Sequence, residues 1–171
     1  MALLSFQLVA DEGDHRVQVL VGGRPLPEIA GGTVASWWTG PTVSEIGSSS
    51  RHFLDRPAFD FAATTTGDPD DAPGVEDLVV EFAPLGGTVL AGTGVATCSC
   101  GGFGCSSVFV DVVLLPWAVR WERFYDGTGT TLERLGPFEV RRGAYERALA
   151  DLDRQIAERP VPYGEPRRER W

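Results

Sequence analysis

The most apolar stretch of the chain reads Ser107-Val-Phe-Val-Asp-Val-Val-Leu-Leu115, and it decides the fold. Its residues are apolar on both faces of an extended strand. Such a run is typical of a strand in the middle of a sheet, where a second layer covers at least one face. We therefore expect residues 107–115 to form the central strand.

The next stretch predicts a neighbouring strand. Trp117, Val119 and Trp121 alternate with a second set of residues that includes Arg120 and Glu122. This period of two is typical of an antiparallel strand with one apolar face. We expect both tryptophans to belong to the core.

Working outward, the remaining apolar patterns predict one α+β domain. A β-hairpin at 3–9 and 16–21, with a turn at Asp11–His15, and strands at 78–82, 88–91 and 138–140 follow from alternation and turn residues. A helix over 143–158 follows from an apolar stripe at Tyr145, Leu149, Leu152 and Ile156. The predicted fold is a mainly antiparallel sheet, in one or two layers, with this C-terminal helix packed on it. Residues 1–158 form the domain, and 159–171 form a loosely attached tail.

Composition excludes several classes of protein. The net charge is −9, and eight carboxylates accompany a single arginine between Asp55 and Glu81. An acidic protein repels phosphate backbones, so we expect no nucleic-acid binding. The sequence has no apolar run near the ~20 residues of a membrane span, and residues 1–9 are too short for a secretory signal. These features, with an odd number of cysteines, predict a cytoplasmic protein in which the thiols are reduced.

All three cysteines lie in the segment Cys98-Ser-Cys100-Gly-Gly-Phe-Gly-Cys105. Three thiolates from one loop form one candidate zinc site, with His52, His15, a carboxylate or water as the fourth ligand. A thiol-redox or nucleophilic role is a second interpretation, although no cation lies nearby in sequence to lower a thiol pKa. The third interpretation, which we favour, is structural: small, partly buried residues flank a glycine-rich bend.

His52 is followed three residues later by Asp55, and a His–Asp pair would suit acid–base chemistry. A histidine in a serine-rich loop is more often a surface or capping residue, and we expect that role here. His15 is expected to be exposed in the hairpin turn.

Two surfaces are candidates for partner binding. Trp37 and Trp38 are adjacent, so an extended backbone points one of them away from the core. The acidic loop carries Asp68, Asp70 and Asp71, which lack the spacing of a calcium-binding loop. We expect these surfaces to contact a protein or small-molecule partner.

Four motifs follow one another along the chain: C-x-C-G-x-x-G-C at Cys98, W-x-x-F at Trp121, G-P-F at Gly136 and Y-x-x-A-L at Tyr145. In this order the chain resembles a family of small uncharacterised bacterial proteins from GC-rich genomes over about residues 78–156. Members tend to carry a histidine after the W-x-x-F strand, where this chain has the segment 125–130. The resemblance implies a fold and a motif but no reaction.

The leading functional hypothesis is a non-enzymatic binding or interaction protein with an acidic surface, and immunity proteins are one class of this kind. The alternative is a zinc-binding or thiol-redox protein centred on Cys98, Cys100 and Cys105. A binding protein of this kind is expected to need no cofactor. The zinc-binding form of the alternative is expected to hold zinc.

Overall fold

The computed structural model describes residues 1–11, 13–31, 38–54, 88–98 and 107–160, and in these the predicted α+β fold is confirmed. Two antiparallel sheets are present, in the strand orders β1-β2-β3 and β4-β5-β6-β7-β8. The strands are β1 (Leu4–Asp11), β2 (Asp14–Val21), β3 (Arg24–Pro25), β4 (Trp38–Thr39), β5 (Thr88–Cys98), β6 (Ser107–Leu114), β7 (Ala118–Asp126) and β8 (Phe138–Arg141). The helices are α1 (Leu26–Ala30), a 3₁₀ turn (Ser50–Phe53) and α2 (Arg142–Glu158).

Strand β6 lies in the middle of the five-stranded sheet, as its sequence predicts, with β5 and β7 antiparallel on either side. Val108, Val110 and Val112 point into the main core, where each fully buried side chain contributes about 1.5–3 kcal/mol. Phe109 and Val113 are also buried, although they lie outside that core cluster. Burial on both faces explains why the run has no polar alternation.

The two tryptophans predicted for this strand differ in burial. Trp121 is fully buried, but Trp117 is 63 % exposed, so its predicted place in the core is wrong. The Leu115 N–H donates to the Ala118 carbonyl at 2.8 Å, which makes a tight turn at this point. Trp117 lies in that turn, before β7 begins, and therefore does not follow the alternation of the strand.

The predicted hairpin is present, but its strands are longer than expected. β1 and β2 pair from Leu4–Val21 to Asp11–Asp14. His15 consequently pairs with Ala10 inside β2, half-buried, and is not an exposed turn residue as predicted. Two residue pairs beyond the predicted strands, Ala10–His15 and Asp11–Asp14, extend the hairpin toward its turn. They form because backbone groups near the turn satisfy their hydrogen bonds across the strands.

The two sheets are joined by the segment 38–43. Trp38 and Thr39 pair with the end of β5, and the segment then crosses to β2, where the Val17 N–H donates to the Pro41 carbonyl at 2.7 Å. Gly40 lies at the crossing, and a Cβ atom there would be 1.8 Å from the carbonyl oxygen of Val17. Only glycine permits so close an approach.

Helix α2 covers the hairpin, packing mainly on β1 through the four apolar residues predicted from its periodicity. Its Gln155 side chain bonds to the backbone of β1: Oε1 accepts from the Leu8 N–H at 2.9 Å, and Nε2 donates to the Phe6 carbonyl at 3.0 Å. The helix ends at Glu158, just before Pro160, because proline cannot continue the hydrogen-bond pattern.

Some predictions lie wholly or partly outside the described residues: the strand at 78–82, the acidic loop and most of the tail beyond residue 158. The division into a domain and a tail stays a prediction. In the described part of the chain, no helix is long and apolar enough to cross a membrane.

Candidate ligand cleft between the sheets

The structure places three of the predicted site residues. Trp38 pairs with Cys98, the last residue of β5, and His52 lies in the 3₁₀ turn. The others lie outside the described residues: Trp37, Asp68, Asp70, Asp71, Cys100 and Cys105.

His52 is buried, which corrects the prediction of a surface or capping residue. Its Nε2 lies 2.8 Å from the carbonyl oxygen of Gly94, and because that oxygen can only accept, Nε2 carries the proton. The ring of Phe53 packs edge-on against the imidazole at 4.8 Å. His52 thus ties the turn to β5, a long-range contact that the local sequence does not signal.

His52 is not joined to Cys98 by this contact. Gly94, which holds the imidazole, lies four residues before Cys98 in β5, or roughly 13 Å along a strand. Among the described residues, no three histidine, cysteine or acidic side chains group in a way that could hold a metal ion. The predicted zinc site, whose other two thiols lie outside these residues, stays a prediction.

The other end of the 3₁₀ turn is held by α2. The Tyr145 hydroxyl donates to the Phe53 carbonyl at 2.7 Å. Burial raises the pKa of Tyr145 well above its ordinary value, because the phenolate would have to exist without solvent. Tyr145 is therefore a neutral donor at physiological pH, and its role is structural.

A second polar cluster lies in the five-stranded sheet, around the buried carboxylate of Asp111 on β6. Arg123 on β7 forms an ion pair with it at 3.0 Å, and the Gly92 N–H donates to it at 3.1 Å. A register shift between Leu90 and Thr93, with Gly92 at φ 72°, turns that N–H toward the carboxylate. Because ion pair and hydrogen bonds compensate the buried charge, the cluster has a structural explanation.

The described residues also form an open cleft of about 330 Å³ at the junction of the two sheets. Its walls come from the ends of β1 and β2, from α1, and from the joining segment with β5. The lining residues are Val9, Ala10, Asp11, Arg16, Gln18, Val19, Leu26, Pro27, Trp38, Thr39, Gly40 and Val95. This volume lies at the lower end of the range of small-molecule sites.

One side of the cleft is polar. The Arg16 guanidinium forms an ion pair with Asp11 through Nε and donates from Nη1 to the Gly40 carbonyl at 3.2 Å. These two contacts fix the guanidinium, whose side chain is only 15 % exposed. Gln18, two residues along the same face of β2, is half-buried and makes no side-chain hydrogen bond with any described residue.

The apolar side of the cleft includes Trp38, Leu26 and Val95, which also belong to the main core. Trp38 is one of the tryptophans that the sequence marks as a candidate contact residue. It is 7 % exposed, so it offers a cleft wall and not an outward surface.

Sequence reasoning missed Arg16 and Gln18 as cleft residues. Their polar character alternates with Val17 and Val19, which indicates the solvent side of a strand. That face meets the joining segment only because residues 40–43 pair along the edge of β2, a tertiary contact that periodicity cannot reveal.

Comparisons with protein-family models, with curated proteins and with solved structures give no significant match for this chain. The resemblance to small bacterial proteins stays a prediction from the motifs. The cleft geometry is therefore the basis for a functional proposal.

Proposed function

We propose that this is a non-enzymatic binding protein that holds its ligand in the cleft between the two sheets. The observation that carries the proposal is the pairing of an aromatic wall at Trp38 with a fixed guanidinium at Arg16 and the half-buried amide of Gln18. Apolar walls with a few positioned polar groups are typical of small-molecule sites.

The chemistry of the lining favours binding over catalysis. The ion pair of Asp11 with Arg16 already engages the charged groups, and the remaining side chains offer hydrogen bonds and apolar contact. General acid–base catalysis requires a titratable group within hydrogen-bond reach of the substrate. His52, the histidine weighed for that role, is held by the Gly94 carbonyl and does not line the cleft.

The test is a titration of ¹⁵N-labelled protein with 2-phenylethanol, a neutral probe with one ring. We expect amide shifts that saturate and that map to β2, β4 and the start of α1. Trp38→Leu should weaken binding at least fivefold. The matched control is Trp117→Leu, which removes an exposed tryptophan that does not line the cleft. Shifts scattered over the surface, or equal loss in both variants, would contradict the proposal.

An acidic binding protein also suits a basic protein partner, as in immunity proteins, since charge complementarity accelerates association. The net charge of −9 supports this finer proposal. The affinity of the isolated protein for a basic protein partner should fall steeply between low and physiological salt.

The zinc or thiol-redox alternative is tested separately by elemental analysis and thiol titration of freshly purified, tag-free protein. One zinc per chain with three protected thiols would establish it. Absence of metal with slow, uniform labelling of the thiols would eliminate it, and one fast-reacting thiol would favour the redox branch.

A further inference from the structure

We propose that the cleft selects neutral ligands that carry a primary amide group on an apolar body. This inference rests on the proposed function and names the ligand chemistry of the same site. It follows from three features of the lining: a compensated ion pair, an amide side chain available for hydrogen bonding, and an apolar wall.

The ion pair argues against charged ligands. Asp11 and Arg16 neutralise each other at the polar side of the cleft. An anionic ligand would gain from Arg16 but meet the Asp11 carboxylate, and a cationic ligand would meet the guanidinium. Either one also loses its hydration on entry, a cost that only a dedicated opposite charge offsets. The net charge of −9 further disfavours anions.

Gln18 argues for an amide. Its side chain offers an N–H₂ donor and a carbonyl acceptor side by side, and it forms no hydrogen bond with any described residue. A primary amide on the ligand presents the same two groups in the complementary order, so the pair can form two hydrogen bonds at once. An alcohol can match only one of them at a time in this geometry. The second hydrogen bond, at about 1 kcal/mol, corresponds to about a fivefold gain in affinity over the alcohol.

The apolar wall and the volume set the rest of the ligand. Trp38, Leu26 and Val95 offer apolar contact, and aromatic side chains favour offset or edge contacts with a ligand ring. The 330 Å³ of the cleft correspond to the liquid volume of about ten water molecules. A single ring with a short amide arm fits such a space.

Four probes that share one phenyl ring and a short arm separate these chemistries: phenylacetamide, phenylacetate, 2-phenylethylamine and 2-phenylethanol. We expect phenylacetamide to bind about fivefold more tightly than the neutral alcohol, and both charged probes to bind more weakly than the amide. The measurement is the dissociation constant from amide shifts in β2 and β4 at physiological salt.

Two substitutions of Gln18 test whether this residue is responsible for the preference for the amide probe. Gln18→Leu should remove the fivefold advantage of phenylacetamide, so that phenylacetamide and 2-phenylethanol bind with affinities within about twofold of each other. Gln18→Glu should raise the affinity for 2-phenylethylamine, because it adds a carboxylate. The matched control is Gln7→Leu, since Gln7 pairs with Gln18 across the hairpin but does not line the cleft. Unchanged amide dispersion in the spectra establishes that each variant is folded.

The outcomes separate this inference from the function on which it rests. If 2-phenylethanol binds in the cleft as tightly as phenylacetamide, the amide preference is overturned and the binding function stands. If phenylacetate or 2-phenylethylamine binds most tightly, the ion pair does not act as proposed, and the inference is also overturned. If no probe shifts the cleft amides, both proposals fail.

Discussion

The carboxylate of Asp153 accepts two hydrogen bonds from Ser50, one from the backbone N–H at 2.8 Å and one from the hydroxyl at 2.7 Å. The two residues are 103 positions apart, and their contact joins α2 to the start of the 3₁₀ turn. The Tyr145 hydroxyl holds the end of the same turn. Helix α2 therefore positions the turn that carries His52 against β5.

Replacing Asp153 by alanine removes both acceptors and should lower the free energy of unfolding by about 2 kcal/mol, since hydrogen bonds to a charged group are the stronger ones. The measurement is urea unfolding followed by tryptophan fluorescence. The control is Glu158→Ala, which removes an exposed i,i+4 partner of Arg154 and should cost less than about 0.5 kcal/mol. Equal losses in the two variants would show that the contact with Ser50 contributes nothing.

Gln155→Ala should cost about 1–2 kcal/mol, because it leaves the Leu8 N–H and the Phe6 carbonyl of β1 without their side-chain partner. Gln155→Glu keeps an acceptor for Leu8 but places a carboxylate against the Phe6 carbonyl, so it should be no more stable than the alanine variant. Hydrogen exchange at the Leu8 amide reports the change locally. Unaltered protection of that amide in both variants would refute this role of Gln155.

Gly40→Ala should be severely destabilising, by about 3 kcal/mol or more, because a Cβ atom would overlap the carbonyl of Val17 at the crossing of the two sheets. Gly127→Ala is the matched control, since no atom of its surroundings lies within 4 Å of the added Cβ. It should change stability by less than about 0.5 kcal/mol. Thermal unfolding compares the two. A stable Gly40→Ala protein would mean that the joining segment adjusts without loss.

The carboxyl group of Asp126 should titrate below the ordinary value of 3.8. Its slight burial raises the pKa, but hydrogen bonds from the Thr128 hydroxyl and from the backbone N–H groups of Thr128 and Thr130 outweigh burial and lower it. A lowered folded-state pKa stabilises the fold above the unfolded-state pKa, and this contribution is lost as pH falls through the folded-state pKa. A carbon-detected NMR titration measures the pKa of the Asp126 carboxyl group.

Thr128→Val removes the hydroxyl donor and should raise the pKa of Asp126 toward 3.8 while leaving its two backbone donors in place. The free energy of unfolding at neutral pH should fall modestly, because the stabilisation from the lowered pKa is fully present where the carboxyl is ionised in both states. A pKa of Asp126 at or above 3.8 in the unmodified protein would contradict the assignment.

The sequence predicts the elements whose pattern is local. The run at 107–115 becomes β6, and the apolar stripe from Tyr145 to Ile156 becomes the buried face of α2. Alternation alone misplaces Trp117, because the turn from Leu115 to Ala118 interrupts the strand just before it. Periodicity describes a strand well but does not show where it begins.

The candidate site was only partly predictable, since it is assembled by long-range contacts. The sequence marks Trp37 and Trp38 as candidates because two adjacent tryptophans cannot share one face of a strand. The contributions of Arg16 and Gln18 depend on the crossing at Gly40, and the burial of His52 depends on a carbonyl of β5. Neither contact has a signature in the neighbouring residues.

The bonds of Gln155 to β1 have a consequence for association between molecules. The outer edge of an edge strand is normally a template on which another chain can add a strand. Here a single amide side chain from a helix occupies the Leu8 N–H and the Phe6 carbonyl in the way that a neighbouring backbone would. The helix therefore protects the hairpin against edge-to-edge aggregation, using one glutamine in place of a further strand.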